Sequence, residues 1–159
     1  ARTNITRLLA CDPDQLRTFQ GLKIGPTFVH KNLRFGGHPS VKELGYPSYN
    51  KPGSIVYWMN EAQPQEEFVA FLDTDMLLRV PLDPTKLGAA RGVVVSAEYN
   101  YLIGTRPPFA SRFLHADEVP LSAACGGFHV FHREDLREIA PLWIEATAEA
   151  QLTQHTHAY

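Results

Sequence analysis

Phe68-Val69-Ala70-Phe71-Leu72-Asp73-Thr74-Asp75 decides how this chain is read. Five apolar residues without a break predict a central strand buried on both faces, because a strand with one wet face alternates. Two carboxylates follow at its C-terminal end, the edge at which open α/β sheets bind ligands. Paired carboxylates repel unless something positive joins them. A divalent cation that prefers oxygen ligands, Mg²⁺ or Mn²⁺, is the natural partner, and it can bridge a diphosphate. The spacing alone is weak evidence. Asp12-Pro13-Asp14 repeats it, and there Asp12 reads as a helix N-cap with Pro13 at the first helical position. The plain alternative for Asp73 and Asp75 is a strand-end turn with solvated carboxylates.

On the N-terminal side of that stretch, Ile5 to Ala10 predicts a strand, and a short helix from Pro13 ends near Gly21. Pro26 to His30 predicts a second strand. Residues 31–49 carry Gly36-Gly37, His38-Pro39, Gly45 and Tyr46-Pro47 without period, and read as a long surface loop of the kind that tends to be functional. Pro52 to about Ala62 is helical by period, with Ile55, Val56 and Met59 on one face. On the C-terminal side, Asp83-Pro84 marks a turn and Gly92 to Ala97 a strand. Gly126-Gly127 precedes a strand over Phe128 to His132. A helix covers Arg133 to about Ala140, and Pro141 opens a second one to about Leu152. The residues from Gln154 to Tyr159 close no recognisable element. Strands and helices mix throughout, which predicts an α/β fold in a single domain.

The chain has 159 residues, 44% hydrophobic and 20% charged, a globular composition. No apolar run approaches the ~20 residues of a membrane span. With 15 Lys+Arg against 17 Asp+Glu the net charge is −2, which argues against a nucleic-acid partner. Cys11 and Cys125 are too few for a disulfide framework or a cysteine zinc site. Ala1 follows no initiator Met and opens no signal sequence, so the chain is expected to be a piece of a longer one.

Two further groups are candidates. In Tyr49-Asn50-Lys51-Pro52, a lysine and an amide at a helix N-terminus can meet a phosphate or ribose. On these residues alone a capped surface helix is the better reading. Cys125-Gly126-Gly127 permits close backbone approach to a ligand, or simply makes a turn. His129 and His132 stand three apart in a strand pattern and face opposite ways. Trp58 and Trp143 read as core. Asn4-Ile5-Thr6 is a glycosylation sequon.

Ile5-Thr6-Arg7-Leu8-Leu9, Pro26-Thr27-Phe28, Asn50-Lys51-Pro52 and Phe71-Leu72-Asp73-Thr74-Asp75-Met76 occur in an order that resembles one family. Tyr101-Leu102-Ile103-Gly104, Gly126-Gly127 and Asp135-Leu136-Arg137-Glu138-Ile139-Ala140-Pro141-Leu142-Trp143 continue it. The chain is similar to the plant and algal peptidyl serine α-galactosyltransferases, relatives of the hydroxyproline O-arabinosyltransferases, from about residue 5 to 150. The resemblance implies a GT-A-like fold, a nucleotide-sugar-binding mixed sheet flanked by helices, incomplete at both ends. It implies transfer of galactose or arabinose from a UDP-sugar to a serine or hydroxyproline hydroxyl of a cell-wall-type glycoprotein, with retention of configuration. Asp73 and Asp75 would hold Mn²⁺ or Mg²⁺, and Asn50, Lys51, Asp73, Gly126 and Gly127 would lie at the donor. No residue stands out as a catalytic base; the departing phosphate can take the acceptor proton. The endoplasmic reticulum or Golgi lumen is the expected compartment, with a membrane anchor outside this segment.

The sequence departs from the family at Thr74, between the aspartates, and at Cys125, which lies closer to the glycine pair. The family's opening strand is expected before Ala1 and further metal and acceptor contacts after Tyr159. The 159 residues alone are therefore expected to fold marginally and to transfer nothing. Two rival readings are a haloacid-dehalogenase-type phosphatase, with Asp73 as nucleophile and Asp75 as acid/base, and a non-catalytic peptide- or sugar-binding module. Met76 and Leu77 stand where such phosphatases carry Gly and then Thr or Val.

Overall fold

The computed structural model describes residues 5–23, 25–35, 37–39, 45–99 and 110–156, and of these all side chains but those at 22 and 154–156. The chain divides into two compact units, Ala1–Gln65 with Arg137–Tyr159, and Glu66–Leu136. The elements are β1 (Arg7–Cys11), α1 (Pro13–Thr18), β2 (Thr27–Lys31), α2 (Asn50–Glu61), β3 (Phe68–Leu72), β4 (Val95–Glu98), β5 (Cys125–His132) and α3 (Arg133–Thr156). The α/β class holds, as two small sheets with three helices. Asn4 and the 101–104 block lie outside the described residues.

In the first unit β1 and β2 pair in parallel, from Arg7 opposite Thr27 to Cys11 opposite Lys31, with α1 in the crossover. Arg7 secures the start of both strands. Its guanidinium donates to the Gly21 carbonyl at 2.5 Å and to Thr27 Oγ1 at 2.6 Å, and lies over the Phe19 ring. The Gln15 side chain accepts the Asp12 N–H at 3.0 Å, one half of a capping box at the start of α1. In α2 the buried residues Pro52, Ser54, Ile55 and Met59 recur at helical spacing and form the inner stripe. Leu33, Tyr49 and Ala148 make a buried cluster, with Tyr46, Tyr57 and Ile144 packed on it. Leu33 fits because residue 53 is glycine; a Cβ there would strike its side chain.

The second unit holds a three-stranded antiparallel sheet in the order β3-β5-β4. This corrects the reading of Phe68–Leu72 as a central strand buried on both faces. β3 pairs with β5 alone among the described strands, its residues are half-buried and Ala70 is exposed. The centre is β5, where Val130 and Phe131 are buried. An apolar run does not encode strand order, which depends on partners far along the chain. Two boundaries also move. Gly126 and Gly127 lie inside β5 rather than before it. The strand expected from Gly92 begins only at Val95, because Gly92 takes φ 79° in a tight turn bridged from Ala90 to Val93. That turn is tied to the first turn of α3, where the buried Asp135 accepts the Gly92 N–H at 2.7 Å and pairs with Arg91 at 2.7 Å.

Pro141 does not open a second helix. It stands inside α3, which runs for 24 residues and takes in residues 154–156, which by sequence close no recognisable element. A proline costs the helix one hydrogen bond and crowds one carbonyl, and α3 absorbs that cost in mid-course. No helix among the described residues is long and apolar enough to cross a membrane.

Candidate functional site

The carboxylates are positioned by the β3–β5 ladder. The last register pair is Leu72 with Phe128, and the ladder runs one step further, where the Asp73 N–H donates to the Gly127 carbonyl at 3.1 Å. The chain then reverses, with the Met76 N–H donating to the Asp73 carbonyl at 3.1 Å. Asp73 and Asp75 are thus on one tight turn at the C-terminal end of β3. Asp73 is half-buried; Asp75 is exposed.

The glycine pair has a definite role here. Consecutive residues of a strand face opposite ways. On one face of β5 the Tyr99 ring lies where a Cβ on Gly126 would be. On the other, the Asp73 carboxylate and the end of Met76 lie where a Cβ on Gly127 would be. Gly127 and Asp73 are therefore one structural feature, joined by a backbone hydrogen bond and by a carboxylate seated on the glycine. The space at Gly126 is filled by the protein itself.

As a cation site, the pair fits in kind. It offers carboxylate oxygens only, the donors that Mg²⁺ and Mn²⁺ prefer. No cluster of three or more His, Cys, Asp or Glu occurs among the described residues. The pair alone would leave most positions of an octahedral ion to water and to substrate oxygens, as Mg²⁺ commonly does with phosphate substrates.

Asn50 and Lys51 belong to the other unit, at the start of α2. The Asn50 side chain is engaged within the protein. Its Oδ1 accepts the Leu33 N–H at 2.6 Å and its Nδ2 donates to Asn32 Oδ1 at 2.9 Å. Lys51 is half-buried in the first turn of the helix.

Sequence reasoning passed over Asp12 and Asn32. Each directly follows one of the two parallel strands, at the edge where α/β sheets bind ligands. Asn32 donates to Asp12 Oδ2 at 3.3 Å, and its own Oδ1 accepts the Arg34 N–H at 3.0 Å besides the Asn50 amide. Asp12, Gln15, Asn32, Arg34 and Phe35 line a cleft of about 270 Å³. The available signal was the polar residue closing each of two short apolar strands; capping explained Asp12 and hid it.

Residues 2–159 match the hydroxyproline O-arabinosyltransferase family N-terminal domain, and the chain belongs to that family. It is 38% identical over 148 residues to a peptidyl serine alpha-galactosyltransferase of Arabidopsis thaliana, covering 93% of this chain and 18% of that protein. It is 25% identical over 168 residues to a peptidyl serine alpha-galactosyltransferase of Chlamydomonas reinhardtii, covering 97% of this chain and 22% of that protein. The chain thus spans about a fifth of the length of the curated relatives it matches. No solved structure matches it.

Proposed function

We propose that this chain forms part of the donor site of a glycosyltransferase that moves galactose or arabinose from a UDP-sugar to a serine or hydroxyproline hydroxyl of a glycoprotein. The observation that carries the reading is the Asp73–Gly127 pairing, which places an Asp-x-Asp turn at a strand end in a chain of this family. The family and the names of its relatives support the reaction class. GT-A architecture, Mn²⁺ or Mg²⁺ dependence, retention of configuration and a lumenal, membrane-anchored setting in the endoplasmic reticulum or Golgi are parts of this proposal.

Asp73 would be the fixed ligand, since the ladder holds its backbone and Gly127 leaves room for its carboxylate. Asp75 would reach the ion from the solvent side of the turn. When bound, the cation offsets the charge that develops on the leaving diphosphate. Gly127 leaves the space that the Asp73 carboxylate fills, and the Tyr99 ring lies over Gly126 on the opposite face of β5.

The test uses the full-length protein with UDP-galactose and a peptide containing serine and hydroxyproline. Asp75→Asn, on an exposed turn, should leave the fold intact and lower Mn²⁺-dependent transfer by on the order of 100-fold, about 2.7 kcal/mol. Unchanged transfer in that variant removes the metal reading.

A further inference from the structure

We propose that Asn4 is a modification site, the acceptor of an N-linked glycan, lying ahead of the strand that its triplet leads into. Asn4-Ile5-Thr6 is the one Asn-x-Ser/Thr triplet in the chain, and its middle residue is not proline. The sequence alone predicts a strand from Ile5, and a triplet locked into a strand ladder has no room for a bulky glycan. The structure moves that start. β1 begins at Arg7, and pairing opens with the Arg7 N–H donating to the Pro26 carbonyl at 3.0 Å. Ile5 and Thr6 precede the ladder and belong to no helix or strand, and Ile5 is 68% exposed. An exposed, irregular segment is the setting in which such a triplet is accepted.

The surroundings also have room. Lys23, Gly25 and Pro26, which lead into β2 beside the start of β1, are exposed. Ile5 and Thr6 enter β1 at its N-terminal end, whereas α/β sheets bind ligands at the C-terminal edge. The five residues of β1, at ~3.3 Å each, put about 16 Å between those ends. A glycan at the start of the strand therefore leaves the ligand edge clear.

The co-reactant is a lipid-diphosphate-linked oligosaccharide, supplied by the cell in the lumen. The Asn4 side-chain nitrogen forms a bond to the anomeric carbon of the first sugar. The bond from that carbon to the diphosphate oxygen breaks, the lipid diphosphate leaves with the bonding pair, and the nitrogen gives up one proton. The Thr6 hydroxyl completes the recognised triplet. Access to this donor rests on the lumenal setting proposed above; the placement of the triplet does not.

The test expresses the full-length protein in plant cells, as encoded and with an added secretory signal. Trypsin frees the peptide Thr3–Arg7. Peptide-N-glycosidase A converts a glycosylated Asn4 to aspartate, which mass spectrometry of that peptide reads. In the signal-directed form Asn4 should be modified. Asn4→Gln and Thr6→Ala should each lower the mass on a gel by one glycan, whereas Thr6→Ser, which keeps the hydroxyl, should retain it. An unmodified Asn4 in the signal-directed form overturns the proposal, as does modification that survives Thr6→Ala. A glycan in the signal-directed form and none in the encoded form upholds the site and overturns the lumenal setting instead.

Discussion

His30 lies on β2 with Nε2 at 2.5 Å from Ser54 Oγ of α2, stacked on Tyr57. It is buried, its Nδ1 has no hydrogen-bond partner among the described residues, and burial holds its pKa below the ordinary value despite the opposing pull of the Lys31 backbone and the Glu61 charge. A histidine depressed in the folded state takes its proton first in the unfolded state, at about pH 6.5. Its contribution to stability is therefore full above that pH and is lost as pH falls towards the folded value. Urea melts between pH 7.5 and 5 should show stability dropping through this window, and His30→Gln should flatten that slope. A slope that survives in the variant assigns it to another group. Gly127 is the second residue whose identity matters. Gly127→Ala drives a methyl group into the Asp73 carboxylate, and overpacking of this kind costs ~1–3 kcal/mol. The melting temperature should fall, and Mn²⁺-dependent donor binding should fall with it because Asp73 must move.

Two elements carry local strain that can be relieved. Pro141 is exposed within α3, where it removes the hydrogen bond to the Arg137 carbonyl. Pro141→Ala should stabilise the protein by about 1–3 kcal/mol in thermal or chemical unfolding. A loss of stability would mean that packing around α3 depends on the proline. At the end of α2, Gln63 sits one residue beyond the Ala62 cap with φ 46°, the left-handed conformation that glycine adopts freely. Gln63→Gly should stabilise by roughly 0.5–1 kcal/mol, since a side chain there costs ~1–2 kcal/mol. Its effect should be confined to stability, because it contributes to neither candidate site.

At the scale of the whole molecule, the proposed donor site sets the expected metal affinity. Two carboxylates, with no cluster of three His, Cys, Asp or Glu among the described residues, form a sparse cation site. Mn²⁺ titrated alone, followed by electron paramagnetic resonance, should bind weakly, with Kd on the order of millimolar, and at least about tenfold more tightly once UDP supplies phosphate oxygens. Tight binding by the ion alone would place further ligands in the protein. Weak binding unaffected by UDP would separate the aspartates from the donor.

What the sequence by itself determined is what local chemistry can encode. The run Phe68–Leu72, the helical period of Ile55 and Met59, the Asp12-Pro13 start of α1 and the Asp-x-Asp turn each depend on neighbours a few residues away, and the α/β class follows from them. Only tertiary structure decided the rest. β3 lies beside β5, some sixty residues further on, and nothing in Phe68–Leu72 says whether a second strand covers its other edge. Gly126-Gly127 reads equally as a close approach to a ligand or as a turn until β5 takes it in and Tyr99 and Asp73 come to rest on its two faces. Asp12, Asn32 and Asn50 are separated in sequence by 20 and 18 residues, and each reads alone as a cap or loop residue. Parallel pairing of β1 with β2 and the docking of α2 bring them into one hydrogen-bonded set. Pairing and docking of that kind are settled by long-range burial and backbone hydrogen bonding, which local periodicity does not record.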